Sequence, residues 1–430
     1  MHDDLYPSTA PLDTSEHQAF RATVRRFVKD EVMPHHAQWE REGQVPKALW
    51  RRAGELGLLC LTVPEAYGGA GVDFGYSAIV VEEMARAGAT GPLFYLHSDI
   101  VAPYLVHHGS EAQKQQWLPR MASGEVIAAI GMTEPGAGSD LAAIRTHAAP
   151  RGGGWRINGQ KLFISNGQIA DLLLLAAKTD PSRGAKGVSL LLVDTTLKGF
   201  SRGKRLDKLG MHAQDTSELF FTDLDVGADA LLGEEGAGFK AMMNELPQER
   251  LLVAITAVAT MEAAVQWARE HVMQRQAFGA PLSDKQTVRH RLVDCHANTL
   301  VARSFLNDCL RRHLAGTLDT ATASVAKFWC TEMQFKVLDE CLQLFGGYGY
   351  MREYPIARAW VDARVQRIYG GTTEIMKEIV ARGLLKGGGV TRGTVQYSPG
   401  PPDPRAAGTP QDQLASRAYA ASRAAAGPKA

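Results

Sequence analysis

Ten residues, Gly131, Met132, Thr133, Glu134, Pro135, Gly136, Ala137, Gly138, Ser139 and Asp140, follow directly on the apolar run 126–130. A strand end turned into a ligand-facing loop has this composition. Its glycines let backbone N–H groups approach a flat ring or a phosphate with no Cβ in the way, and Thr133 and Ser139 offer hydroxyls to heteroatoms at a ring edge. Alone, such a loop also closes ordinary hairpins. Three further segments fit the same design. Residues 161–167 carry Phe163 two positions before Ser165 on an extended pattern, which puts both on one face. Residues 343–350 end a long helical pattern in a Gly-rich stop, and residues 368–374 open the last helix.

Four such motifs, in this order and separated by long stretches, resemble the acyl-CoA dehydrogenase family, over roughly residues 14 to 386. Members desaturate acyl-CoA thioesters between Cα and Cβ. That chemistry needs a base for the α-proton and an acceptor for a β-hydride. No side chain accepts hydride, so the resemblance implies FAD. The protein must then clamp the isoalloxazine edge, hold the thioester carbonyl where enolate charge develops, and aim one carboxylate at Cα.

The resemblance implies that Met132, Thr133, Gly138, Ser139, Phe163 and Ser165 face the flavin ring, with Phe163 standing where Trp is more usual and Ser165 where Thr is. It gives Arg275, Phe278, Gln286, Gln343, Gly346, Gly347, Thr372 and Glu374 to the phosphates, ribityl and adenine. In the family these helical residues serve the flavin of a neighbouring subunit, which implies a dimer at least and commonly a homotetramer. Outside that motif Arg275 would read as a solvated helix-end cation.

The expected base is missing. Most relatives place Glu directly after the Tyr of the Tyr-x-Gly-Thr turn, and this chain has Gly370 after Tyr369. A glycine cannot take a proton. In the long-chain and isovaleryl branches the carboxylate comes instead from a helix of the C-terminal bundle, and residues 244–252 resemble the start of that helix, with Glu249 on the base position and Arg250 beside it for substrate or helix placement. A lone Glu in a first helical turn is ordinarily a solvated residue favoured by the macrodipole; the glycine at 370 reverses that reading. Burial should raise the pKa of Glu249 toward the working range. Glu374 is the runner-up base. Ser139, Tyr369, Gly370 and Gly371 complete the expected substrate side. The resemblance runs closest to the long-chain branch through residues 246–250, 321–327 and 369–378, which suggests a medium-to-long or branched acyl thioester.

The elements that must position these groups follow from apolar periodicity. Residues 15–120 read as helices punctuated by Pro46, Pro64, Gly68, Gly69 and Pro92; 155–164, 172–178, 188–194 and 219–226 read as strands; after Gly238 the helical period returns. Val288, Leu292, Cys295, Thr299, Ala302, Leu306 and Cys309 step by four and three, the seam of a bundled helix. The expected class is α+β, mostly α: an N-terminal helical domain (1–125), a middle β-barrel or sandwich (126–233), a C-terminal four-helix bundle (234–386) and a disordered tail (387–430) rich in Gly, Pro, Ala and Ser.

A net charge of +1 gives no footprint for nucleic acid or an anionic membrane. The longest apolar stretch, 251–261, is too short to span a bilayer. Five cysteines without a Cys-x-x-Cys read as reduced core residues, and the acidic N-terminus lacks the apolar segment of a secretory signal, so a cytoplasmic protein is expected. The adjacent pairs His35–His36 and His107–His108 read as solvated or capping residues, Glu134 and Asp140 as braces of the flavin loop, and no metal site is expected. Acyl-CoA and an electron-transfer flavoprotein are the partners the resemblance implies. Two rivals share the scaffold: a flavin-dependent monooxygenase or nitroalkane-oxidase-like enzyme, and a non-catalytic acyl-CoA binding protein, the latter if Glu249 faces solvent.

Overall fold

The computed structural model describes residues 5–385; the expected tail lies outside the described residues. The N-terminal helices are α1 (Ser15–Phe27), α2 (Met33–Glu42), α3 (Lys47–Glu55), α4 (Phe74–Arg86), α5 (Ala102–His108) and α6 (Glu111–Ala122). Thr14 caps α1 by accepting from the His17 N–H, and Ser110 with Gln113 forms a reciprocal capping box on α6. α1 buries Phe20, Val24 and Phe27 at helical spacing, whereas α4 is buried from Phe74 to Ala85 and forms the centre of this half.

The sheet contains β1 (Ala128–Gly131), β2 (His147–Arg151), β3 (Gly154–Ser165), β4 (Leu172–Lys178), β5 (Val188–Asp194), β6 (Phe200–Arg205), β7 (Thr216–Gly227) and β8 (Leu231–Leu232). Its order is β6-β7-β3-β2-β4-β5-β8, with β1 parallel to β4. β4 is buried throughout, which is why its sequence is an unbroken apolar run instead of an alternating one. The pairing of Gly131 with Leu175 carries the loop 131–140 off the end of β1.

The C-terminal half is α7 (Gly238–Gln274), the hairpin β9 (Gln276–Ala277) and β10 (Ala280–Pro281), then α8 (Gln286–Leu314), α9 (Thr320–Leu344), α10 (Pro355–Ala363) and α11 (Thr373–Leu385). The α8 seam is as its spacing required: Cys295, Thr299, Ala302, Leu306 and Cys309 are buried. All five cysteines are buried and free. The apolar stretch 251–261 sits inside a longer element than its sequence suggested. α7 has 37 residues and an 18-residue window of mean hydropathy 1.6, long and apolar enough to cross a membrane, and 83% of that window is buried within the protein.

A buried ion network ties the helices together. Arg21 pairs with Glu82 and Glu83 at 2.8 Å each, Arg303 with Glu82 and Glu262, and Arg86 with Glu262 at 2.7 Å. It joins α1, α4, α7 and α8, and nothing in the sequence spacing announces it.

Candidate active site

The loop 131–140 and β3 are built as one piece. Leu162 N–H donates to the Thr133 carbonyl at 2.9 Å. The buried Lys161 ammonium donates to the Met132 carbonyl at 3.0 Å and to Glu134 at 2.8 Å. Glu134 also accepts from the backbone N–H groups of Arg145 and Thr146. Glu134 is therefore a brace, as expected. A Cβ at Gly136 or Gly138 would meet nothing within 4 Å, and neither has a positive φ. Nothing in the chain itself requires glycine there, and the exposed backbone leaves room for a flat group to lie against it.

Phe163 departs from the expected geometry. The strand is not regularly extended at this point: the β3/β7 register shifts between Lys161 and Ile164, and Phe163 takes φ 61°. Simple alternation therefore does not put Phe163 and Ser165 on one face. The left-handed backbone is costly for a bulky residue, and the ring is 63% exposed beside the loop. A strained, solvent-facing aromatic next to a glycine loop with empty space fits a flat ring such as isoalloxazine.

A second group gathers at one end of the bundle. Arg275 caps α7 and its guanidinium lies 5.5 Å from the centroid of the Tyr348 ring, which follows Gly346 and Gly347. Phe278 and Gly279 form the β9–β10 turn, both at positive φ, and Phe278 is 96% exposed. Gln286, Gln343, Gly346, Gly347 and Glu374 are exposed as well, and Thr372 caps α11 by accepting from Ile375 N–H.

Glu249 lies within α7 and not at its start. The helix begins at Gly238 and runs on through Pro247, so the macrodipole of a first turn does not act on this carboxyl. Glu249 is half-buried, and its Oε1 accepts from the Tyr104 hydroxyl at 3.1 Å. Desolvation pushes its pKa up to about 7; the Glu245 charge one turn earlier pushes the same way, while Tyr104 and Arg250 oppose. Glu245 itself is held down at about 2, chiefly by His107 and His108, which prevail over its desolvation. His107 Nδ1 lies 2.7 Å from Glu245. The histidine pairs thus differ from expectation: His107 and His108 pair with a carboxylate beside the base, and His36 is buried and accepts from Gly91 N–H. Tyr104 and His107 carried no sequence signal, because they reach Glu249 and Glu245 only through the packing of α5 on α7.

The turn opposite is held rigidly. Lys327, fully buried, donates to the Gly371 carbonyl at 2.6 Å; Glu332 accepts from Thr373 and from Arg367. Tyr369 hydrogen-bonds Tyr95. Arg250 is 3% exposed and reaches Ser324 on α9 at 3.3 Å, so it serves helix placement and offers no guanidinium face to a substrate in this arrangement. Gly370, at φ 65°, leaves its Cβ space toward Val253, one turn beyond Glu249.

A three-part fold with a strained aromatic beside a glycine loop and a half-buried carboxyl fits a flavoenzyme, and this chain belongs to the acyl-CoA dehydrogenase family. The family's N-terminal, middle and C-terminal domains match residues 14–125, 129–224 and 236–385. It is similar to the mitochondrial long-chain specific acyl-CoA dehydrogenase of Sus scrofa, 50% identical over 374 residues, 86% of this chain and 87% of that protein. Among solved structures it resembles an acyl-CoA dehydrogenase from Geobacillus kaustophilus, with 48% identity, TM-score 0.86, and coverage of 87% of this chain and 100% of that one. It also resembles a glutaryl-CoA dehydrogenase from Mycobacterium smegmatis in complex with FADH2, 27% identical with TM-score 0.82 over 88% and 96% of the two chains. The protein is an FAD-dependent oxidoreductase acting on acyl-CoA. The non-catalytic alternative required Glu249 to face solvent, and the carboxyl is instead held against Tyr104.

Proposed function

We propose that this enzyme converts medium-to-long or branched acyl-CoA thioesters to trans-2-enoyl-CoA, with Glu249 as general base. The observation that carries this reading is a single carboxyl, hydrogen-bonded by Tyr104, with its pKa pushed up to about 7, opposite a turn whose own base position is glycine. In the step, the Cα–H bond breaks and its proton passes to a Glu249 oxygen, while the Cβ hydrogen leaves with its electron pair as the Cα=Cβ bond forms. FAD, when bound, supplies the acceptor for that hydride. Tyr104 holds Oε1, which leaves Oε2 for Cα.

Met132, Thr133, Gly138, Ser139, Phe163 and Ser165 would hold the ring, and Arg275, Phe278, Gln286, Gln343, Gly346, Gly347, Thr372 and Glu374 the remainder of the cofactor. Exposure of most of the second group supports a flavin shared between subunits, hence a dimer at least, and the resemblance extends this to a homotetramer. An electron-transfer flavoprotein is the acceptor we assign, and five buried free cysteines fit a reducing compartment, the cytoplasm. Anaerobic titration with acyl-CoAs of graded length tests the reading: saturated chains of intermediate or greater length should bleach the flavin, and reoxidation should be fast with electron-transfer flavoprotein and slow with oxygen. No bleaching by any thioester, or fast reoxidation by oxygen, would refute it.

A further inference from the structure

A cavity of about 50 Å³ lies between α4, α7, α9 and α10, bounded by Val81, Met84, Leu93, Thr256, Thr260 and Tyr369. Its walls are mostly apolar; Arg358 and Asp362 also line it but are paired with His36 and Glu40 and with Thr90 and the Met211 N–H, whereas two buried amides face it without such partners. Gln334 on α9 is 0% exposed, and neither its amide nitrogen nor its carbonyl oxygen has a hydrogen-bond partner in the protein; Gln366 is 5% exposed with an unpartnered carbonyl oxygen. A buried amide without partners is costly. The chain does not need it for packing, since a Leu would fill similar volume without that cost.

The cavity lies in line with the base. Glu249, Val253, Thr256 and Thr260 follow one another on one face of α7, within about 60° of arc at 3.6 residues per turn, and Thr260 lies about 16 Å beyond Glu249 along the axis. The side-chain space of Gly370 opens on Val253, and the neighbouring Tyr369 is itself a cavity wall. The Thr256 and Thr260 hydroxyls donate to the carbonyls of Leu252 and Thr256, so their protons are already used and only their oxygens are left to accept.

We propose that this cavity receives the far end of the acyl chain and recognises a hydroxyl group there, so that the enzyme takes long acyl-CoAs hydroxylated at or near the ω-end. A hydroxyl both donates and accepts: the Gln334 amide N–H donates to its oxygen, and the Gln334 or Gln366 carbonyl accepts from its O–H. A methyl end leaves both amides unpaired, the situation in which a polar site discriminates strongly. A volume of about 50 Å³ suits an end group, not a whole chain.

The inference rests on the acyl-CoA reading above, so its test is separated from turnover. Paired methyl-ended and ω-hydroxylated acyl-CoAs of roughly eight to sixteen carbons are titrated calorimetrically into flavin-loaded Glu249→Gln protein, which binds without reacting. The hydroxylated member should bind at least about tenfold tighter at the chain length that reaches the cavity, and Gln334→Leu or Gln366→Leu in the same background should bring that ratio to one or below. Equal or weaker binding of the hydroxylated chain at every length, or a ratio unmoved by both substitutions, overturns the proposal. Tighter binding together with an unbleached wild-type enzyme would uphold the cavity and sink the reaction instead.

Discussion

A Cβ built on Gly370 lies 3.9 Å from Cγ2 of Val253, the residue one helical turn beyond Glu249. The turn and the helix therefore open on the same space, and a carboxylate from either would arrive at it. A base moved to the turn should work in part: in a Glu249→Gln background, Gly370→Glu should restore at least about tenfold of the lost rate. The left-handed φ of 65° at Gly370 makes full recovery unexpected, since it strains any side chain by about 1 kcal/mol. Single-turnover bleaching of the flavin reads the result, and no recovery would show that the two positions do not share a substrate.

The ionised form of Glu249 is the base, so activity must rise with pH through the pKa of about 7 and level off above it. Below that midpoint kcat/KM should fall about tenfold per pH unit. Tyr104 donates to the carboxylate and favours its charged form, so Tyr104→Phe should move the midpoint to higher pH and lower kcat more than it alters KM. A pH–rate profile with an unshifted midpoint would remove Tyr104 from the base's environment.

Gly138 has open space around its missing side chain and an ordinary φ, so Gly138→Val should leave the apoprotein's thermal stability within about 0.5 kcal/mol. It should nevertheless lower flavin content sharply, because the added methyls occupy the space the ring needs. Phe163→Ala should weaken flavin retention through loss of the packing face, and Phe163→Gly should do the same while also relieving the left-handed strain at φ 61°. Absorbance of the purified variants and differential scanning calorimetry separate the two effects.

Arg303 pairs with Glu82 and Glu262 in the helical core. Arg303→Met leaves two buried carboxylates short of their cation and should cost about 3–5 kcal/mol. The three arginines facing Glu82 outweigh its desolvation and hold its pKa down at about 2, below the unfolded value of about 4.3. Its stabilising contribution is complete above the unfolded value and is lost as pH falls toward 2. Chemical denaturation between neutral and acid pH should show that loss in the wild type and much less of it in the variant.

The parts of the fold written in long, uniform patterns were legible. β4 and β5 have the bounds their apolar runs imply, and the α8 seam is buried as its spacing requires. β2 and β6 escaped because their exposed residues, Pro150 and Arg151 in one and the charged Arg202, Lys204 and Arg205 in the other, erase any alternation. The resemblance put a helix start at residues 244–252, but α7 begins at Gly238 and runs through Pro247. The loop glycines and Glu249 could be found from motif order; Tyr104, His107, Glu245 and Lys327 could not be assigned, because their contacts span 44 to 145 positions of sequence and depend on helix packing.

The central claim is that Glu249 alone accepts the α-proton, and Glu249→Gln tests it most directly. The variant should purify yellow, bind acyl-CoA with near wild-type affinity, and show no bleaching when mixed anaerobically with a long-chain thioester that bleaches the wild type. Bleaching at the wild-type rate would mean that another group takes the proton, and the assignment of the base would be wrong.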